Sequence, residues 1–164
     1  MVEKSIHILK ADYGNSEHAK DLVYLLNAYA SDPMGGGVPL ADSVKLSLVP
    51  ELAKRNFALS LFAYVEGKPA GLLNAFEGFS TFAAKPLLNI HDIIVLSEYR
   101  GMKLSQRLLA GLEEIARERN CCKITLEVLS GNEIAKRAYQ KFGFTDYTLD
   151  PEVGQALFWQ KKLD

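Results

Sequence analysis

Between Glu98 and Leu109 the chain reads EYRGMKLSQRLL, a set of residue types suited to holding a phosphate. Where a strand hands over to a helix, the first helical N–H groups lack carbonyl partners and the helix dipole adds partial positive charge. Across Arg100, Gly101, Met102, Lys103, Leu104 and Ser105 that backbone is joined by a guanidinium, a glycine that permits close approach, and a hydroxyl. A second pair, Asn132 and Tyr139, is seven residues apart. That is two helical turns, so the two share a face about 10 Å apart along the axis. The residues alone leave two readings of this pair: a polar site, or a helix-start asparagine with a half-buried core aromatic.

Other chemistries are excluded by pattern. Gly35–Gly37 follow a helix rather than a strand and lack GxxxxGK[ST], so they read as a turn. No GxGxxG is present for a dinucleotide. Cys121 and Cys122 are adjacent, with no second pair at metal spacing, so neither a bridge nor a metal site is expected. Two free thiols and the absence of a signal pattern in MVEKSIHILK predict a reducing, cytoplasmic setting.

The scaffold must come from 164 residues, 48% apolar and 24% charged, which suits one domain over residues 1–164 with a sizeable core. The formal net charge of −1 recruits neither nucleic acid nor a membrane surface, and no apolar run is long enough to span a bilayer. SIHIL is a first strand, and Leu22, Leu25, Leu26 and Tyr29 repeat at helical spacing. A second helix is predicted over Ser43–Arg55. Two apolar runs around EGKP form a hairpin, and LLNIHDIIVL is a β-branched central strand. From Lys103 to Glu118, Leu104, Leu108, Leu112, Ile115 and Ala116 make one apolar stripe. KITLEVL alternates as a strand with Ile124, Leu126 and Val128 on one face. A helix follows over Asn132–Phe142, with Ser130 and Glu133 as a capping box, an Ile134–Ala138–Phe142 stripe, and Gly143 as its stop. FTDYTL and QALFWQKKL then read as a closing pair of strands. Only the strand–helix–strand unit over Leu88–Leu129 has the form of a parallel crossover.

These two chemical stretches carry a resemblance. VLSEYRGMKLSQRLL resembles the acetyl-CoA signature Q/R-x-x-G-x-G/A of the GCN5-related N-acetyltransferase superfamily. LEVLSGNEIAKRAYQKFGF resembles that family's next block through Val128, Asn132, Ala135, Tyr139, Gly143 and Phe144. The likeness covers nearly the whole chain and is closest in pattern to small-amine, diamine-type members. It implies an α/β fold whose central mixed sheet is largely antiparallel, with one parallel crossover between strands four and five and flanking helices. It also implies acetyl-CoA as co-substrate, no metal, and an amine acceptor; a homodimer is among the options.

On the matching positions, Ile93 and Val95 would pair with pantetheine as an added strand. Arg100–Ser105 would take the pyrophosphate, with Asn132 and Ala135 alongside. Tyr139 would protonate the departing thiolate. Lys103 stands where the signature has glycine, and Ser105 where it has a small residue. A lysine there is expected to fit a helical backbone and to conflict with a positive φ. Where diamine-type members read L-E-D, this chain reads Ile90-His91-Asp92, which nominates His91 as base, with Asp92 and Glu127 in reserve. Phe76, Phe79 and Phe82 are candidates for the acceptor pocket, and Glu77, Asp32 and Asp42 for attracting a cation. Protein N-terminal acetylation, a CoA-binding regulatory module without turnover, and a plain interaction domain remain as alternatives.

Overall fold

The computed structural model describes residues 4–163. Five strands form one sheet in chain order: β1 (Ile6–Lys10), β2 (Ala58–Val65), β3 (Lys68–Ser80), β4 (Lys85–Val95) and β5 (Ile124–Leu126). The first four are antiparallel neighbours, and β5 lies parallel to β4. Four helices flank the sheet: α1 (Ser16–Ser31), α2 (Asp42–Ala53), α3 (Leu104–Glu118) and α4 (Glu133–Phe142).

Strand alternation sorts the side chains into two cores. Leu59, Leu61, Ala63, Leu73, Ala75, Leu88 and Ile90 face α3, which returns Leu104, Leu108, Leu109, Leu112 and Ala116. On the opposite face Ala58, Phe62, Leu72 and Ile94 meet Leu22 and Leu25 of α1 and Val49 and Leu52 of α2. Gly71 permits this layering, because a Cβ there would sit 2.9 Å from the Ile94 carbonyl oxygen.

The parallel crossover appears where it was expected, but β5 is shorter than its alternation suggested. It pairs only as Leu88–Ile90 with Ile124–Leu126, and Val128 lies beyond its end, 39% exposed. The two predicted closing strands do not form among the described residues. After Gly143 the only regular element among the described residues is a 3₁₀ turn at Pro151–Val153, and Leu157, Phe158 and Trp159 are more than two-thirds exposed. Alternation makes a strand only where an edge accepts its hydrogen bonds, and a three-residue β5 offers little edge.

Candidate active site

The short β5 creates the site's main feature. Beyond Ile90, β4 runs on to Val95 with β3 on one side and no strand on the other among the described residues. The sheet therefore opens in a V, and the outer backbone edge of residues 91–95 is unpaired. Ile93 and Val95 are half-buried here, in the same cluster as Met102 and Tyr139.

From Val95 the chain passes through a 3₁₀ turn at Ser97–Tyr99 into α3. Gly101 has φ +85° and open space around its Cα. Lys103, the N-cap of α3, has φ +59° and ψ +26° and makes no side-chain capping bond. The loop thus does demand a left-handed residue where lysine stands. The expected conflict takes the form of backbone strain, roughly 1–2 kcal/mol for a residue bearing a Cβ. With the cap position uncommitted, the first N–H groups of α3 face outward, and the exposed Lys103 ammonium adds charge. Leu104 is buried, so it can offer only backbone, whereas Ser105 is half-buried. Arg100 lies 3.8 Å from Asp32, which also caps the turn at Pro33–Gly35 through the Met34 N–H. Lys103→Gly is expected to be more stable than Lys103→Ala by about 1 kcal/mol, because only glycine relieves a positive φ. Urea denaturation midpoints of the two variants check this.

α4 starts at Asn132, whose side-chain oxygen accepts from the Ala135 N–H at 3.2 Å. Asn132, not Ser130, is therefore the cap, and its amide N–H₂ is left to point elsewhere. Gly143, with φ +112°, ends the helix as expected. Ile134 does not join an apolar stripe: it is 84% exposed, and α4 buries its other side through Tyr139 and Phe142. Tyr139 is half-buried, edge-on to Phe144 at 5.9 Å, and desolvation together with Tyr29 pushes its phenol up to about 12. Gln106, in the first turn of α3, donates to the Ala138 carbonyl at 2.9 Å. That bond holds α4, and with it Tyr139, against the start of α3.

On the acceptor side, His91 and Asp92 occupy a β-bulge. Asn74 pairs with Asp92 and Ala75 with Ile90, so His91 is the extra residue. His91 is exposed and meets Phe76 edge-on at 4.8 Å. Asp92 is more enclosed, and it accepts from the Asn74 amide at 3.0 Å. Burial raises its carboxyl above the usual range, while that bond and His91 pull the other way. Tyr29 of α1 approaches the same place, its phenol raised by burial and then by Asp92 and Asp32.

Of the other acceptor-side candidates, Phe76 alone packs at the bulge. Phe79 and Phe82 stand 63% and 99% exposed on the β3–β4 hairpin. Glu77 is taken by Arg119 at 2.8 Å, and Asp42 stands exposed in the first turn of α2, 3.4 Å from Lys45. Glu127 is exposed past the end of β5. Asn74, Tyr29 and Gln106 were not anticipated; only Asn74 left a signal, as a lone amide within the apolar run GLLNAF. Cys121 and Cys122 are free thiols, and no cluster of three or more His, Cys, Asp or Glu among the described residues could hold a metal ion. Among the same residues no helix is long and apolar enough to cross a membrane.

Residues 22–144 match the model of the Acetyltransferase (GNAT) family. A thialysine N-epsilon-acetyltransferase of Bos taurus is 30% identical over 70 residues, 43% of this chain and 41% of that protein. An acetyltransferase of Agrobacterium fabrum is 32% identical over 87 residues, 52% and 62% of the two chains. The chain thus spans less than two-thirds of the length of either of these curated relatives. Among solved structures, a probable acetyltransferase superposes with a TM-score of 0.80 at 21% identity, covering 96% of this chain and 99% of the other. An aminoglycoside N-acetyltransferase, AAC(6')-Iy, solved with the bisubstrate analogue CoA-S-monomethyl-acetylneamine, gives 0.75 at 18% identity, covering 97% and 99%.

Proposed function

This chain belongs to the acetyltransferase (GNAT) family, and from that premise we propose that it moves an acetyl group from acetyl-CoA to the amine of a small molecule by direct attack. The observation that carries the reading is the V between β4 and β5, whose open edge leads through the Ser97–Tyr99 turn to the start of α3, which no side chain caps. An extended pantetheine can hydrogen-bond along residues 91–95 as a missing strand would, and the pyrophosphate can take N–H groups between Gly101 and Ser105 other than that of Met102, which donates to the Tyr99 carbonyl at 3.4 Å. In this reading Arg100 and Lys103 supply counter-charge, and Asn132 and Ala135, at the start of α4, complete the cofactor's seat.

Tyr139 is the general acid in this reading. A phenol raised to about 12 keeps its proton at neutral pH and can pass it to a thiolate as the thioester C–S bond breaks. The acceptor, with an amine pKa of about 10.4, arrives as ammonium and must lose a proton before its lone pair attacks. His91, exposed at the bulge, takes that proton, and the neighbouring Asp92 carboxylate attracts the cation. Small amines are favoured because the relatives named above include thialysine and aminoglycoside acetyltransferases.

The test is calorimetric titration with acetyl-CoA followed by a screen for thiol release with diamines, thialysine, aminoglycosides and N-terminal peptides. Micromolar binding with turnover on a small amine is expected. Turnover on peptides alone would replace the acceptor class, and binding without any turnover would make the chain a CoA-binding module. No binding would overturn the proposal.

A further inference from the structure

The buried polar side chains of the sheet lie in a single row. Ser60 of β2, Asn74 of β3 and Asp92 of β4 are direct cross-strand partners, Ser60 opposite Asn74 and Asn74 opposite Asp92. Ser60 and Asn74 are 1% and 4% exposed, and no other polar residue of the described chain is as deeply buried. Their hydrogen bonds are short and continuous: Tyr13 to Ser60 at 2.9 Å, Ser60 to Asn74 at 2.6 Å, Asn74 to Asp92 at 3.0 Å.

The direction of this chain follows from counting protons. The Ser60 hydroxyl has one hydrogen, and the Asn74 side-chain oxygen can only accept it. Tyr13 must therefore donate to Ser60. The Asn74 N–H₂ in turn donates to a carboxylate oxygen of Asp92. Burial raises the Tyr13 phenol, so it remains a donor through the neutral range. Every donor in the row thus points toward Asp92, and such aligned bonds polarise one another in a low-dielectric interior.

We infer that Tyr13, Ser60 and Asn74 form a one-way donor chain that holds the Asp92 carboxylate ionised and aimed at the acceptor, which makes Asn74 a positioning residue; this rests on the acetyl-transfer reading above. The bulge is what brings the row into line. Were His91 paired in register instead of bulged, it would stand opposite Asn74 and the carboxylate of Asp92 would leave the row. The site needs such support because enclosure favours the neutral acid, which could not attract an ammonium. The titratable groups that face Asp92 are His91 on its own strand and Tyr29 from α1. His91 favours the anion when charged, whereas Tyr29 stays neutral.

The experiment follows the Asp92 carboxyl carbon by ¹³C NMR through a pH titration, its signal assigned by loss in Asp92→Asn. Asn74→Leu is expected to raise the Asp92 midpoint by about one unit, Ser60→Ala by less and Tyr13→Phe by least, since each removes a donor further along the row. The acidic limb of kcat/KM should move upward in the same order. A merely structural role would lower thermal stability and leave the titration where it was. An unchanged Asp92 midpoint in folded Asn74→Leu overturns the inference. If that variant fails to fold, an unchanged midpoint in Ser60→Ala does so. Because the titration needs no turnover, absence of acetyl transfer by the wild type would count against the functional reading alone.

Discussion

Tyr139→Phe is expected to lower kcat by about 10²- to 10⁴-fold while leaving acetyl-CoA affinity unchanged, the loss typical of removing a positioned general acid. The substitution deletes one oxygen and keeps the ring that packs on Phe144. Neither the α3 N-terminus nor the open edge of β4 is touched. Stability should not fall, because the hydroxyl is half-buried and phenylalanine is easier to desolvate than tyrosine. Steady-state kinetics beside calorimetric binding separates the two effects. Equal loss of binding and turnover would show that Tyr139 seats the cofactor rather than protonating a leaving group. The high phenol pKa also implies that no alkaline limb of the rate profile below about pH 10 arises from this residue.

Phe62→Ala is expected to destabilise the protein by about 3–5 kcal/mol, as large-to-small changes of buried aromatics do. Phe62 is fully buried in the core beneath α1 and α2, with His18 at 5.4 Å and Tyr64 at 5.5 Å between ring centres. Neither helix can collapse far into the space, because Leu22, Leu25, Val49 and Leu52 already pack against the sheet there. For a chain of this size the loss corresponds to a fall in Tm of about 10 °C. Phe82→Ala is the matched control, 99% exposed at the hairpin tip and worth within about 0.5 kcal/mol. The change also loosens the seat of α1, which carries Tyr29 to the Asp92 side of the site.

What could be read beforehand divides along a physical line. Hydrophobic period is local, so α3 and α4 were placed to within a residue of their observed starts, and the parallel crossover followed from chain order. Tyr139 and Asn132 could be found because helical spacing and a family pattern converged on them. The Tyr13–Ser60–Asn74 row could not, since it depends on register across three strands and on one bulge. Nothing in a linear sequence states where a strand slips by one. Lys103 raised the right question, but its left-handed backbone is set by how the turn after β4 meets α3. The closing strands failed for a related reason. QALFWQKKL has the alternation of a strand, yet a strand is a relation between two backbones, and within this chain β5 supplies only three residues of edge.

That exposed C-terminal stretch also decides what light reports. Trp159 is the chain's single tryptophan and is 82% exposed, far from either core in sequence and outside every strand. Indole fluorescence therefore follows this stretch and is nearly blind to the sheet. A melting curve recorded by tryptophan emission would describe the surroundings of one residue, while circular dichroism would follow the helices packed on the two cores. Differing midpoints would mean that the C-terminal stretch does not unfold together with the two cores, and would say nothing of a partly folded sheet.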